Sequence, residues 1–323
     1  MLYTHLGRSG VTVSRLGLGT VNFGWHVSER ESFGLMDRAL EAGINFFDTA
    51  DSYNHDRGDG STEHIIGRWL AQGGSRREKV VLATKVYSTL GAWANNGKLS
   101  ARHIREACVG SLRRLQTDHI DLYQMHHVDR ATPWEEVWQA MAQLVQEGKI
   151  LYVGSSNFAG WHIVTANTVA EKRSQLGLIS EQSVYNLTKR QIELELIPAC
   201  EANGVGLIPY SPLAAGLLAC GDDQTDRARR DFAEVRERAV KFAKQLAQFE
   251  ALCLDFGESP PSVALSWLLH QPAVTSPIIG PRTQAQLEGC LRALNISLSE
   301  DVLSRLDDIW PGPGGPAPEA YAW

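Results

Sequence analysis

No stretch of about 18 consecutive apolar residues occurs in the sequence, so none of it reads as a helix that crosses a membrane. Cysteine is scarce: Cys108, Cys200, Cys220, Cys253 and Cys290 are odd in number and include no C-x-x-C pair. That spacing excludes a disulfide framework or a cysteine-based zinc site and fits a reducing compartment; no metal is expected. Positive charge is not in excess either. The 31 Lys and Arg stand against 37 Asp and Glu, a net charge of −6, which gives no electrostatic footprint for nucleic acid or an anionic membrane. The run "DRARRDFAEVRER" (226–238) carries both signs and reads as a solvated helix face. The opening "MLYTHLGRSG" lacks the basic start and apolar core of a secretory leader. A cytoplasmic protein with neither membrane nor nucleic acid as partner is the expectation, and a homo-oligomer is left open.

One further absence concerns dinucleotides. "GLGTVNFG" (17–24) opens like the fingerprint G-x-G-x-x-G, but the third glycine position is Asn22, and "WHVSE" follows where a helix would have to begin. A Rossmann loop is excluded.

What is present is an alternation. Strand-like segments occur at "LGLGTV" (16–21), "INFFDTA" (44–50), "VVLATKV" (80–86), "HIDLYQMHHV" (119–128), "ILYVGSSN" (150–157), "LISEQSVYN" (178–186), "VGLIPYSPL" (205–213) and "SPIIGP" (276–281). Helical periods lie between them. Ile104, Cys108, Leu112 and Leu115 recur on one face, as do Val137, Met141, Leu144 and Val145. Gly148 sits at a helix stop, Ser100 and Thr62 with Glu63 at helix starts, and "PPSVALSWLL" begins with first-turn proline. Strand–helix alternation implies parallel βαβ units. Eight of them in 323 residues predict one α/β domain, a (β/α)8 barrel spanning 1–323. Ahead of it "LYTHLGRSG" turns into "VTVSRLG" as an N-terminal hairpin. Extra helices are predicted around 229–257 and over 299–309, and the Pro/Gly-rich tail 311–323 reads as mobile, with Tyr321 and Trp323 able to dock.

In such a barrel chemistry gathers where the strands end. The second ends at Asp48, with Asp51 and Tyr53 just beyond; the third at Lys85; the fourth at His126-His127. Taken singly, each has a plain reading: an aspartate capping a turn, a packed tyrosine, a solvent-reaching lysine, a structural histidine. At one edge of consecutive strands they converge. A tyrosine with a pKa of about 10 is a poor acid at neutral pH; Lys⁺ would lower that pKa, and Asp48 would hold the lysine. His126 would orient a carbonyl oxygen. With a hydride donor alongside, this is a carbonyl reductase.

From "LGLGTVNFG" to "GPRTQAQLE" the chain resembles the aldo-keto reductases, with "GINFFDTADSYN" similar to their signature and "GSSNF", "YSPLAAGLL" and "IIGPRT" to later blocks. The resemblance implies Tyr53 as general acid, Asp48 and Lys85 tuning it, and His126 polarising the carbonyl. It implies NADP(H) laid across the barrel mouth, with Ser156, Asn157 and Gln182 on the carboxamide and Tyr210 stacked on the nicotinamide. Gly19, Thr20, Ser211, Pro212, Leu213, Gly216 and Leu217 would line the cofactor, with Gly280, Arg282 and Gln286 at its 2′-phosphate end. The substrate implied is a small carbonyl compound, walled by Trp25, Tyr87, Trp93 and His127, with His55 and Arg57 for polar contacts. Two departures stand out. Gly289 and Cys290 occupy positions where many relatives have Glu-Asn against the adenine. The block "MHHVDRATPWEEVWQA" (125–140) resembles actinobacterial members, including reductases of nucleotide-linked 4-keto-6-deoxyhexoses. A nucleotide-sensing relative, like channel β-subunits, keeps the same four residues and is the alternative of another class.

Overall fold

The computed structural model describes residues 1–53, 60–89, 91, 93–219 and 233–322. His55, Arg57, Cys220, Trp323 and residues 226–232 of the charged run 226–238 lie outside these.

The hairpin pairs β1 (Tyr3–His5) with β2 (Thr12–Ser14) antiparallel, turning at Gly7. A side chain on Gly7 would sit 2.2 Å from the Ile179 carbonyl oxygen, and its φ is +55°, so only glycine fits. Eight parallel strands follow: β3 (Gly17–Gly19), β4 (Phe46–Asp48), β5 (Val81–Val86), β6 (Ile120–Met125), β7 (Ile150–Ser156), β8 (Leu178–Gln182), β9 (Gly206–Leu207) and β10 (Ile278–Ile279). Their order is β10-β3-β4-β5-β6-β7-β8-β9. The two ends of that row meet through Thr275 N–H to Leu207 O (2.8 Å) and Ile278 N–H to Pro209 O (2.8 Å), which closes the (β/α)8 barrel. Each predicted segment contains one of these strands. The strands are shorter than predicted because the chain leaves the ladder as soon as it reaches the mouth.

Strand periodicity explains what the barrel holds. Phe46, Ala83 and Leu122 point inward and pack with Leu6 and Val13 of the hairpin, Ile179, Ile208 and Ile278 into an apolar floor. Two residues further along the same three strands stand Asp48, Lys85 and Gln124, all buried. The hairpin therefore plugs one end, and polarity begins one pleat above the floor. On the outer face Phe47, Leu82, Tyr123 and Val153 pack against the helices.

Those helices are α1 (Glu29–Glu41), α2 (Ser61–Leu70), α3 (Arg76–Lys79), α4 (Ala101–Leu115), α5 (Trp134–Gln146), α6 (Gly160–Lys172) and α7 (Leu196–Ala202). Later ones are Ala233–Lys241, Ala243–Phe256, Pro260–His270, Gln284–Arg292 and Glu300–Ile309. Ser100 caps α4 by accepting from His103 N–H, Gly148 follows α5 with φ +68°, and Pro260 opens its helix. Thr62 and Glu63 do not cap α2. Gly60 stands at its N-cap, while Thr62 shares a hydrogen bond with Thr49 (2.8 Å) and Glu63 turns into the protein. On α5 Val137, Met141 and Leu144 are buried, but Val145 is 43% exposed; 100° of rotation beyond Leu144 carries it off the apolar face. The tail is not wholly irregular. Trp310 is buried, Ala317 N–H reaches Leu194 O (2.8 Å), and Glu319–Ala322 forms one helical turn. Tyr321 does not dock on the chain itself; it is 71% exposed.

Candidate active site

Asp48 is the last residue of β4 and is surrounded by donors. Its Oδ2 accepts from Lys85 Nζ (2.6 Å), and its Oδ1 from Gln124 Nε2 and Gln182 Nε2 (2.9 Å each). Four strands thus converge on one carboxylate. Lys85 uses its three ammonium hydrogens on Asp48, on Thr49 O (3.0 Å) and on Tyr53 Oη (2.9 Å). Its side chain and that of Asp48 are 0% and 1% exposed. An ammonium with all donors engaged has one geometry. Since Tyr53 Oη accepts from Lys85, the phenol's own proton is left to point elsewhere.

Burial works against the charge of Lys85, but Asp48 and Tyr53 beside it prevail and lift its pKa above the usual lysine value, so it stays an ammonium. For Tyr53 the balance runs against the expectation. Burial pushes the phenol up more than the Lys85 ammonium pulls it down, and the pKa stands above the ordinary tyrosine value. The residue is therefore held as a protonated phenol, with the lysine limiting the rise.

His126 follows β6, with its backbone N–H on Val86 O (2.9 Å). Its ring makes an edge contact with Tyr53 (6.1 Å between centroids) and lies parallel to His127 (5.1 Å). Burial, with Lys85 and His127 adding positive charge nearby, lowers its pKa to about 3, so the imidazole is neutral. Tyr87 meets His127 edge-on (5.3 Å). Of the predicted wall, Tyr87 and His127 gather beside His126. Trp25 is 52% exposed with its ring on His26, and Trp93 stands 81% exposed; neither is brought into that group.

Asp51 is fully buried, unlike a turn-capping aspartate. Burial and then the charge of buried Glu63 hold its carboxyl well above the usual range. Glu63 is ligated by Thr84 Oγ1 (2.5 Å) and Arg114 Nε (2.6 Å), bracing the strand that carries Lys85. Asp48 and Tyr53 reach the site, and Asp51 packs behind it.

The predicted cofactor residues occupy the other half of the mouth. Asn157, at φ +59°, accepts from Tyr210 Oη on its Oδ1 (2.9 Å) and donates from Nδ2 to His126 O (3.2 Å) and Ser156 Oγ (3.0 Å). Ser156 Oγ donates to Gln182 O (2.8 Å). Thr20 is turned inward, its hydroxyl on Asp48 O (3.0 Å), and a side chain on Gly19 would strike Ile278. After Tyr210, Ser211, Ala214, Ala215 and Gly216 all have positive φ. Such turns gather backbone N–H groups into anion-binding concavities. Pro212, Leu213, Ala214 and Leu217 of this loop pack inward or against the core. Across the mouth, Asn22 Nδ2 reaches Gly280 O (2.9 Å), tying the first strand exit to the last. Asn22 therefore does structural work where a Rossmann loop would have glycine. Arg282 precedes the helix Gln284–Arg292, with its N–H on Gln286 Oε1 (2.8 Å). A cation beside a helix N-terminus suits a phosphate. A side chain on Gly289 would meet open space, and Cys290 is buried in the core.

Gln124 was not singled out in the sequence, although it lies two residues before His126 on one strand face. Arg114 and Glu181 carry no functional signal in the sequence, and Glu63 only that of a helix start. Glu63 and Arg114 are 51 positions apart, and Ser155 and Phe158 lie 26 and 23 positions from Glu181. Among the described residues no group of His, Cys, Asp and Glu could hold a metal ion, and no helix is long and apolar enough to cross a membrane.

Several known proteins are similar to this chain over nearly all of its length. The chain is 52% identical, over its whole length and all of the relative's, to "Uncharacterized oxidoreductase YrpG" of Bacillus subtilis (strain 168). It is 34% identical to versiconal hemiacetal acetate reductase of Aspergillus parasiticus, covering 95% of this chain and 96% of that one. Against a probable voltage-gated potassium channel subunit beta of Oryza sativa subsp. japonica it is 32% identical, over 96% of each. The family model for the aldo/keto reductases matches residues 15–311. The chain belongs to the aldo/keto reductase family.

Proposed function

We propose that the protein reduces an aldehyde or ketone to the alcohol with NADPH, Tyr53 donating the proton. The observation that carries this is the hydrogen bond that Tyr53 Oη accepts from Lys85 Nζ. Lys85 Nζ occupies one side of the phenol oxygen at 2.9 Å, so the O–H faces the mouth, next to a neutral His126. NADPH, when bound, supplies the hydride. The chain's own residues do the rest. His126, uncharged, donates a hydrogen bond to the carbonyl oxygen without competing as an acid. As negative charge develops on that oxygen, Tyr53 gives up its proton, and the fixed Lys85 ammonium stabilises the phenolate left behind.

The cofactor half fits the group. Gln182 Nε2 is committed to Asp48, leaving Oε1 for a carboxamide N–H, with Ser156 and Asn157 adjacent. Tyr210 would cover the nicotinamide, the loop from Ser211 to Leu217 the pyrophosphate, and Arg282 with Gly280 and Gln286 the 2′-phosphate. With Gly289 and Cys290 offering the adenine no polar side chain, the phosphate contact carries the preference for NADPH.

Tyr87 and His127 make the wall beside His126 aromatic, which favours a planar or ring-bearing substrate. The name of one relative, versiconal hemiacetal acetate reductase, supports a reductase reading. A nucleotide-linked 4-keto-6-deoxyhexose is the dedicated alternative, from the resemblance in the 125–140 block. The likeness to a channel β-subunit favours a second reading, a nucleotide sensor with little turnover.

The test is NADPH consumption by the purified protein against alkyl aldehydes, aryl aldehydes, ketones and a TDP-linked 4-keto-6-deoxysugar. Turnover of small or aryl carbonyls supports the general reductase, and turnover of the keto sugar alone the dedicated one. Silence with tight NADPH binding favours the sensor.

A further inference from the structure

Glu181 lies on β8 immediately before Gln182, is fully buried, and plays no part in the proton transfer. Both of its oxygens are engaged. Oε2 accepts from Ser155 Oγ (2.5 Å), and Oε1 from Ser183 Oγ (2.6 Å) and Phe158 N–H (3.1 Å). Ser155 and Phe158 bracket Asn157, which holds a left-handed backbone that few residues other than glycine adopt freely. Ser183 O in turn accepts from Tyr210 N–H (3.0 Å). One carboxylate therefore supports both residues that meet beside the proposed nicotinamide position. Asn157 and Tyr210 meet at 2.9 Å because their supporting turns are pinned to the same group.

We propose that Glu181 is the positioning residue of the nicotinamide cradle, holding the 155–158 turn and the Ser183–Tyr210 bridge in the geometry that receives the cofactor. This rests on the reading that the chain binds NADP(H).

The same geometry makes the hold depend on protonation. As a carboxylate the group accepts from all three donors with its full charge; as an acid it donates to Ser155 Oγ, whose hydroxyl turns to Ser180 O (3.2 Å), and the remaining bonds lose their charge assistance. Burial raises the Glu181 pKa to about 7 against the opposing pull of its hydrogen bonds. The titratable groups that feel it are Tyr210 and Cys200 of α7, both raised above their ordinary values and uncharged through neutrality. The cradle is then held more tightly above neutral pH than below it.

Glu181→Gln reproduces the neutral form in nearly the same shape. The experiment measures NADPH dissociation constants by tryptophan fluorescence for wild type and Glu181→Gln at pH 6 and pH 8. At pH 8 the variant is expected to bind about tenfold more weakly, the worth of a hydrogen bond to a charged group. At pH 6 the two should agree within about twofold, because the wild-type glutamate is then protonated as well. The cofactor's 2′-phosphate also titrates near pH 6, but that is common to both proteins and cancels in the ratio. Ser183→Ala, a milder change, should weaken binding at pH 8 by a smaller factor and keep the pH dependence.

A variant that tracks the wild type at both pH values overturns the inference. So does equal weakening at both, which would mean a packing role alone. If the wild type itself fails to bind NADPH, the cofactor reading falls first and this inference with it.

Discussion

Lys85 Nζ lies 2.6 Å from Asp48 Oδ2, and both side chains are sealed from solvent. Two unit charges are buried in one barrel, held by two glutamine amides and a tyrosine besides each other. Such pairs contribute little net stability when intact, but breaking one leaves an uncompensated buried charge.

Asp48→Asn should therefore lower the unfolding free energy by about 3 kcal/mol, measured by urea denaturation. Pairing it with Lys85→Met should cost clearly less than the two single changes together, because neither charge is then left alone. Strict additivity would mean that the pair is not coupled.

The neutral state of His126 has a sign that can be checked. Its folded pKa of about 3 lies below the ordinary value of about 6.5, so between those values the unfolded chain binds the extra proton. Stability from this group is present above pH 6.5 and is lost as the pH falls toward 3. His126→Gln lacks that loss. Its stability relative to wild type should rise as urea melts are taken from pH 7 down to pH 4.5; a constant difference would mean a histidine that titrates normally.

Arg282→Ala should weaken NADPH about tenfold or more while leaving NADH within about twofold, the pattern for a guanidinium that reads a phosphate. Direct titration of both cofactors decides it. Equal weakening would assign the arginine to the mouth's structure instead.

Much of this was legible in the sequence because the barrel writes its chemistry at short range. Asp48 with Tyr53, Lys85, and His126 each close an apolar strand, so three strand ends disclose the site before any contact is known. The missing glycine at Asn22 likewise excluded a Rossmann loop, and that residue instead ties Gly280 across the mouth. What stayed hidden depends on contacts between distant segments. Thr62 and Glu63 look like a helix start, yet Glu63 pairs with Arg114, 51 positions away. Glu181 reads as one polar residue in a strand until Ser155, Phe158 and Ser183 surround it. The net shift of the Tyr53 pKa is hidden for a related reason: Lys85 lowers it as the sequence predicts, but burial raises it more. A neighbouring lysine can be read from strand ends, but the depth of burial that outweighs it cannot.

Tyr53 as proton donor is tested most directly by Tyr53→Phe, which removes the proton and one acceptor while keeping the ring. On a substrate from the active panel, turnover should fall by a factor of about 10² to 10⁴ or more. NADPH affinity, titrated on the same preparation, should stay within about twofold. Retained turnover, or an equal loss of turnover and cofactor binding, would contradict the role given to Tyr53.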